Sequence, residues 1–72
     1  MNLMPNEYVI KKGSLFLMGC PYDDSSYVRY TNNRYDGYRD RNFNNQLRIA
    51  RMIGGKVMRF NPVNGRLDGG WK

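Results

Sequence analysis

The stretch NFNNQLRIARMIGG, residues 42–55, restricts the fold more than any other part of this chain. Stepping 100° per residue from Phe43 brings Leu47, Ile49, Ala50 and Ile53 onto one arc with it, while Asn44, Asn45, Arg48, Arg51 and Met52 take the other. Asn42 stands where an N-cap oxygen accepts a backbone N–H of the first turn. Gly54-Gly55 supplies the left-handed stop, and Arg48 and Arg51 lie toward the end where the helix dipole favours cations. A helix of about three turns does not persist alone in water. Its apolar arc therefore needs a sheet to lie on.

The flanking sequence offers one. EYVIKK and SLFLMGC are short apolar runs around Lys12-Gly13, the pattern of a β-hairpin with glycine in the turn. PYDDSS is turn chemistry, and YVRYT reads as a third strand with Tyr27, Arg29 and Thr31 on one side. KVMRF leaves the helix as a further strand. Residues 61–72 contain Pro62 and Asn64-Gly65 and are read either as a short hairpin or as a loose tail. The expected fold is α+β: one domain over residues 1–72, with a small antiparallel sheet of three to four strands and one helix on a face, in the order β-β-β-α-β.

A chain of 72 residues buries only about 60% of its unfolded surface. No internal disulfide helps, because Cys20 is the single cysteine. With one Cys and no His, the usual zinc ligand sets are missing, and neither a metal nor a cofactor is expected. No apolar run reaches the roughly 20 residues of a membrane span. MNLMPNEYVIKK lacks the regions of a signal peptide, so the expected location is the cytoplasm.

The frame EYVIKKGSLFL…Y…LRIARMIGGKVMRF resembles small proteins of bacteriophages and prophages of Gram-positive bacteria. The matching positions are Tyr8, Val9, Ile10, Ile49, Ala50, Gly54, Gly55, Lys56 and Val57. In those proteins an N-terminal hairpin precedes a helix that stops at Gly-Gly before a strand. The resemblance implies origin and fold, with host-cell cytoplasm as the setting, and it carries no catalytic residues.

Enzymatic chemistry finds little support. Without His, the usual acid/base group near neutral pH is missing. Cys20 has no His to form a thiolate and reads as a small apolar residue at a strand end. Asp23-Asp24 reads as a solvated turn, and Gly54-Gly55 follows a helix instead of opening one, so it is no phosphate loop. The chain is expected not to be an enzyme.

Charge is more informative. The net charge is +6. Residues 1–40 hold five basic and five acidic side chains, whereas residues 41–72 hold seven basic ones and a single acid, Asp68. Arg41, Asn44, Arg48 and Arg51 fall within about 80° of one another on the helix, with Met52 inside the polar arc and Lys56 and Arg59 beyond it. Such a face is either simply solvated or a binding face for nucleic acid, where Arg and Asn pair with base edges. The tract SYVRYTNNRYDGYRDRNFNN adds a second candidate. Tyr27, Tyr35 and Tyr38 are expected to be exposed and able to stack on bases, while Tyr8 and Tyr30 serve the core.

The leading expectation is a non-enzymatic binding protein whose basic helix and following strand engage an acidic partner, nucleic acid first. The alternative is a protein–protein inhibitor or modulator of a host or defence enzyme, anchored by the tyrosines and Met52. A homodimer through a sheet edge is a third.

Overall fold

The computed structural model describes residues 7–19 and 29–72. Its strands are β1 (Glu7–Lys12), β2 (Leu15–Leu17), β3 (Tyr30–Thr31), β4 (Lys56–Asn61) and β5 (Arg66–Trp71), with helix α1 (Phe43–Ile53) between β3 and β4. They form one antiparallel sheet in the order β3-β2-β1-β4-β5. The α+β class and the single helix on an antiparallel sheet agree with the sequence. The strand count is five, above the three to four expected, because residues 66–71 pair with β4 and are no loose tail. Asn64-Gly65 makes the turn between them, with Gly65 at φ +71°. Of the expected third strand, Tyr30 and Thr31 pair with Leu17 and Phe16. Tyr27 and Val28 lie outside the described residues, as do Cys20 and Asp23-Asp24.

The period-2 alternation of the strands fills both faces. On the helix side, Ile10, Leu17 and Val57 bury against Ile49 and Ala50, with Tyr8, Tyr30, Tyr38, Phe43, Leu47 and Ile53 packed around them. On the far side Val9, Phe16 and Phe60 are buried, with Met58 and Leu67 at their margin. A six-residue strand such as EYVIKK can serve two faces only when both are covered. α1 covers the first, lying across β1 and β4.

The aromatic tract helps cover the second. Asn33 accepts a hydrogen bond from Tyr35 N (2.9 Å) and starts a single 3-10 turn, Arg34–Asp36. Tyr35 then meets Phe60 edge-on at 5.6 Å, and its hydroxyl occupies the space a side chain at Gly65 would need. Arg34 Nη1 donates to Gly65 O at 2.8 Å. Arg39 places its guanidinium 5.3 Å from the Phe60 ring centre, within cation–π range, and pairs with Glu7 at 3.4 Å.

Residues 38–40 form a wedge at the open end of the β1–β2 hairpin. Tyr38 N donates to Leu17 O (2.8 Å), and Tyr8 and Asp40 exchange backbone bonds of 2.9 and 3.1 Å. Gln46, fully buried, donates its Nε2 to Tyr8 O (2.8 Å) and Tyr38 O (3.4 Å), so helix and wedge are tied to β1 through one side chain.

Asp40 then sets the start of α1. Its carboxylate accepts from Asn42 N (3.0 Å), Asn45 Nδ2 (3.1 Å) and the Tyr38 hydroxyl (3.3 Å). Asn42 Oδ1 caps Asn45 N at 3.1 Å. These bonds, the backbone N–H of Asn42 foremost, hold the Asp40 carboxyl below its ordinary value. A carboxylate with a lowered folded pKa stabilises fully above the unfolded value, and loses that contribution as pH falls through the folded one. Asp40→Asn is therefore expected to lower the melting temperature at pH 7, and the gap from wild type to narrow below about pH 4. Melts at pH 7 and pH 3 check this; a gap of constant size would mean the carboxylate charge is irrelevant.

Candidate functional site

The structure divides the basic stripe read from the sequence. Arg41 is exposed, but it sits just before α1 around a concavity shared with Glu7, Arg39 and Asp40, where the charges are mixed. Asn44 is exposed on the first turn. Arg48 is exposed and donates Nη2 to Asn45 Oδ1 at 2.8 Å, a bond along the helix surface. Arg59 is exposed yet bound at both nitrogens to Asp68, Nε to Oδ1 at 2.9 Å and Nη2 to Oδ2 at 3.2 Å. That pairing raises the Arg59 pKa and lowers that of Asp68, and it offsets the charge counted on at this position.

At the other end of the helix the charges add. Lys11, Arg51, Lys56 and Lys72 line one open concavity of about 410 Å³, whose floor includes Gly13, Gly54 and Gly55 and whose lining, among the described residues, contains no Asp or Glu. Each cation arrives on a different element. Lys11 is near the end of β1, Arg51 in the last turn of α1, Lys56 at the start of β4, and Lys72 just after β5. The glycines keep the walls low: Gly13 at φ +62° makes the hairpin turn, and Gly54 at φ +76° ends the helix. A side chain at either would point into open space.

Lys11 and Lys56 are also direct cross-strand partners in the β1–β4 ladder. Like charges facing one another across two strands are destabilising by a few tenths of a kcal/mol or more. The fold keeps this repulsion at the mouth of a cationic concavity. A bound anion would relieve it.

Met52, 58% exposed, stands beside Arg51 on the helix surface. The tyrosines sort differently from expectation. Tyr8 and Tyr30 pack against the helix-side core as expected. Tyr38 does so too, with its hydroxyl toward Asp40, and is half-buried instead of exposed. Tyr35 is 51% exposed, but its ring is engaged with Phe60 and Gly65 as part of the cover on the far face. An aromatic residue of the tract can be exposed by area and still be structural.

Two groove cations, Lys11 and Lys72, were not singled out by sequence reasoning, nor was Trp71. Lys11 belongs to the electrically balanced half, and it reaches the site only because β1 pairs with β4. Lys72 and Trp71 stand in the segment that could have been a tail. Among the described residues no group of three or more Cys, Asp or Glu could hold a metal ion. No helix among them is long and apolar enough to cross a membrane. Comparison with protein-family models, curated proteins and solved structures returns no match.

Proposed function

We propose that this chain is a non-enzymatic binding protein that engages nucleic acid through the four-cation concavity at the C-terminal end of α1, with Arg48 extending the field along the helix. The observation that supports this most directly is the convergence of Lys11, Arg51, Lys56 and Lys72 on one concavity with no Asp or Glu among the described lining residues. A small protein with scattered surface charge alternates signs. Here four cations share one concavity, and a phosphodiester backbone is the common polyanion of the cytoplasm, host cytoplasm if the chain is phage-encoded as its frame suggests.

The test is the salt dependence of binding. Four neutralised phosphates give a slope of log affinity against log salt of about −3 on single strands and about −3.6 on duplex DNA. Fluorescence anisotropy of labelled oligonucleotides between low and moderate salt measures it. Absence of retention at low salt on either form would sink the proposal.

A second reading rests on Met52, an apolar side chain left 58% exposed among basic neighbours. It suits an anchor for a protein partner, with the charge steering association. Affinity capture from nuclease-treated lysate separates the two: a stoichiometric protein that survives nuclease favours the second reading, and its loss with nuclease favours the first.

A further inference from the structure

We infer that the nucleic acid taken by this site is an unpaired strand, its phosphates seated on the lysines of the groove and one base stacked on Trp71. This rests on the nucleic-acid reading above and specifies it.

Trp71 is the only tryptophan of the chain and is 41% exposed. Its ring is held from two sides. It meets Phe43 edge-on at 5.3 Å and Tyr8 at 6.4 Å, with interplanar angles of 86° and 75°. Beneath it lies Gly69, where any Cβ would collide with the six-membered ring. Gly69 and Gly70 both have positive φ, and the β4–β5 register shifts between Val57 and Met58. The bulge and the two glycines thus shape the edge strand around this side chain. A large ring already fixed by its neighbours loses little freedom when a base stacks on it.

Its backbone stands at the groove end of the sheet, since Trp71 pairs with Val57 across β4–β5 and is followed by the groove residue Lys72. From there its ring turns back on the helix side over Gly69 toward Tyr8 and Phe43, so that it lies along the sheet from the groove and not within its lining. A base-stacking surface further along the same path as a phosphate-binding groove is an arrangement that captures single strands, because every unpaired base offers a π-face. In a duplex those faces are stacked on one another and only base edges are open to the grooves. The alternative of α1 lying in a major groove is weakened by the helix surface itself. Arg48 is bonded to Asn45, and Arg41 sits with Glu7 and Asp40.

Because the ring is the sole indole, it reports its own contact. The experiment titrates wild-type protein with oligothymidylate and with a duplex of equal length at low salt, following Trp71 emission and, in parallel, anisotropy of the labelled nucleic acid. The expected result is saturable quenching by the single strand, with little by the duplex at matched occupancy. Trp71→Ala is expected to weaken single-strand binding by about tenfold, within the range stacking one base supplies, and to leave the salt slope unchanged. Since that variant also removes packing on Phe43 and Tyr8, Trp71→Phe serves beside it and is expected to lose less affinity. Binding of both forms by anisotropy without quenching, or equal quenching by the duplex, overturns the inference and leaves the cationic groove standing. If neither form is retained, both readings fall.

Discussion

Phe60→Ala is expected to lower the thermal midpoint by at least about 12 °C. Phe60 is 1% exposed at the centre of the far face, packed with Val9 and Phe16 beneath Tyr35 and Arg39. Truncating a buried phenylalanine to alanine costs about 3–5 kcal/mol. A 72-residue domain holds roughly 4–11 kcal/mol in all, at 0.05–0.15 kcal/mol per residue, and in this size class each kcal/mol shifts the midpoint by about 4–8 °C. The loss extends beyond the cavity, because Tyr35 and Arg39 both pack on the ring that disappears. Circular dichroism melts of Phe60→Ala beside Val63→Ala, which alters a side chain 73% exposed at the β4–β5 turn, check the effect. A shift no larger than that of the control would mean that the far face contributes nothing to stability.

The second large effect is on binding. Replacing Arg51 and Lys56 together by alanine removes two of four phosphate contacts. At 0.1 M salt and about 0.7 log units per contact per decade, this weakens single-strand binding roughly 25-fold. Glutamate at both positions goes further, because it places acidic side chains in a lining that has no Asp or Glu among the described residues. Lys56→Glu also converts the Lys11–Lys56 repulsion into an attraction across β1–β4, so stability is expected to rise by some tenths of a kcal/mol while affinity collapses. Opposite movements of the two quantities exclude misfolding as the cause. Arg59→Ala is the matched control: its charge is already offset by Asp68, and its effect on the salt slope is expected to be small. If Arg59→Ala weakened binding as much as the groove variants, the contact surface would run along the sheet instead of through the groove.

The helix was the most legible element. Its Asn42 cap, its left-handed Gly54 and its apolar arc follow from local chemistry, and all are present in the structure. The same 100° stepping puts Gln46 between Ile53 and Ala50 on the buried arc, a position where a polar side chain signals a bond to be made. It makes two, donating to Tyr8 O and Tyr38 O, and the sequence reading of the apolar arc passed over it. The far side of the sheet was harder to read. Whether Tyr35 meets solvent or Phe60 depends on a contact across 25 positions, and the local pattern of Tyr, Arg and Asn is the same in either case. The groove was hidden for a related reason. Strand pairing places Lys11 opposite Lys56, a pairing with no local sequence signature, and the hairpin at Asn64-Gly65, which left a loose tail open as the other reading, brings Lys72 to the same concavity.

The cover formed by residues 34–39 has a consequence for the order in which the chain can assemble. Arg34 reaches the carbonyl of Gly65, 31 positions on, and Gln46 reaches Tyr8, 38 positions back. Contacts of such separation must close large loops before they repay the entropy, which slows folding relative to a helical bundle of equal size. During synthesis, Val9 and Phe16 cannot find their partner until Phe60 has been made, so the apolar runs of the first hairpin wait without a lid. They are short β-prone segments of the kind that pair with other chains when left open. Lys11 and Lys12 close the first of these runs, and in a nascent chain they act as gatekeepers against self-association, Lys11 going on to line the groove of the finished protein.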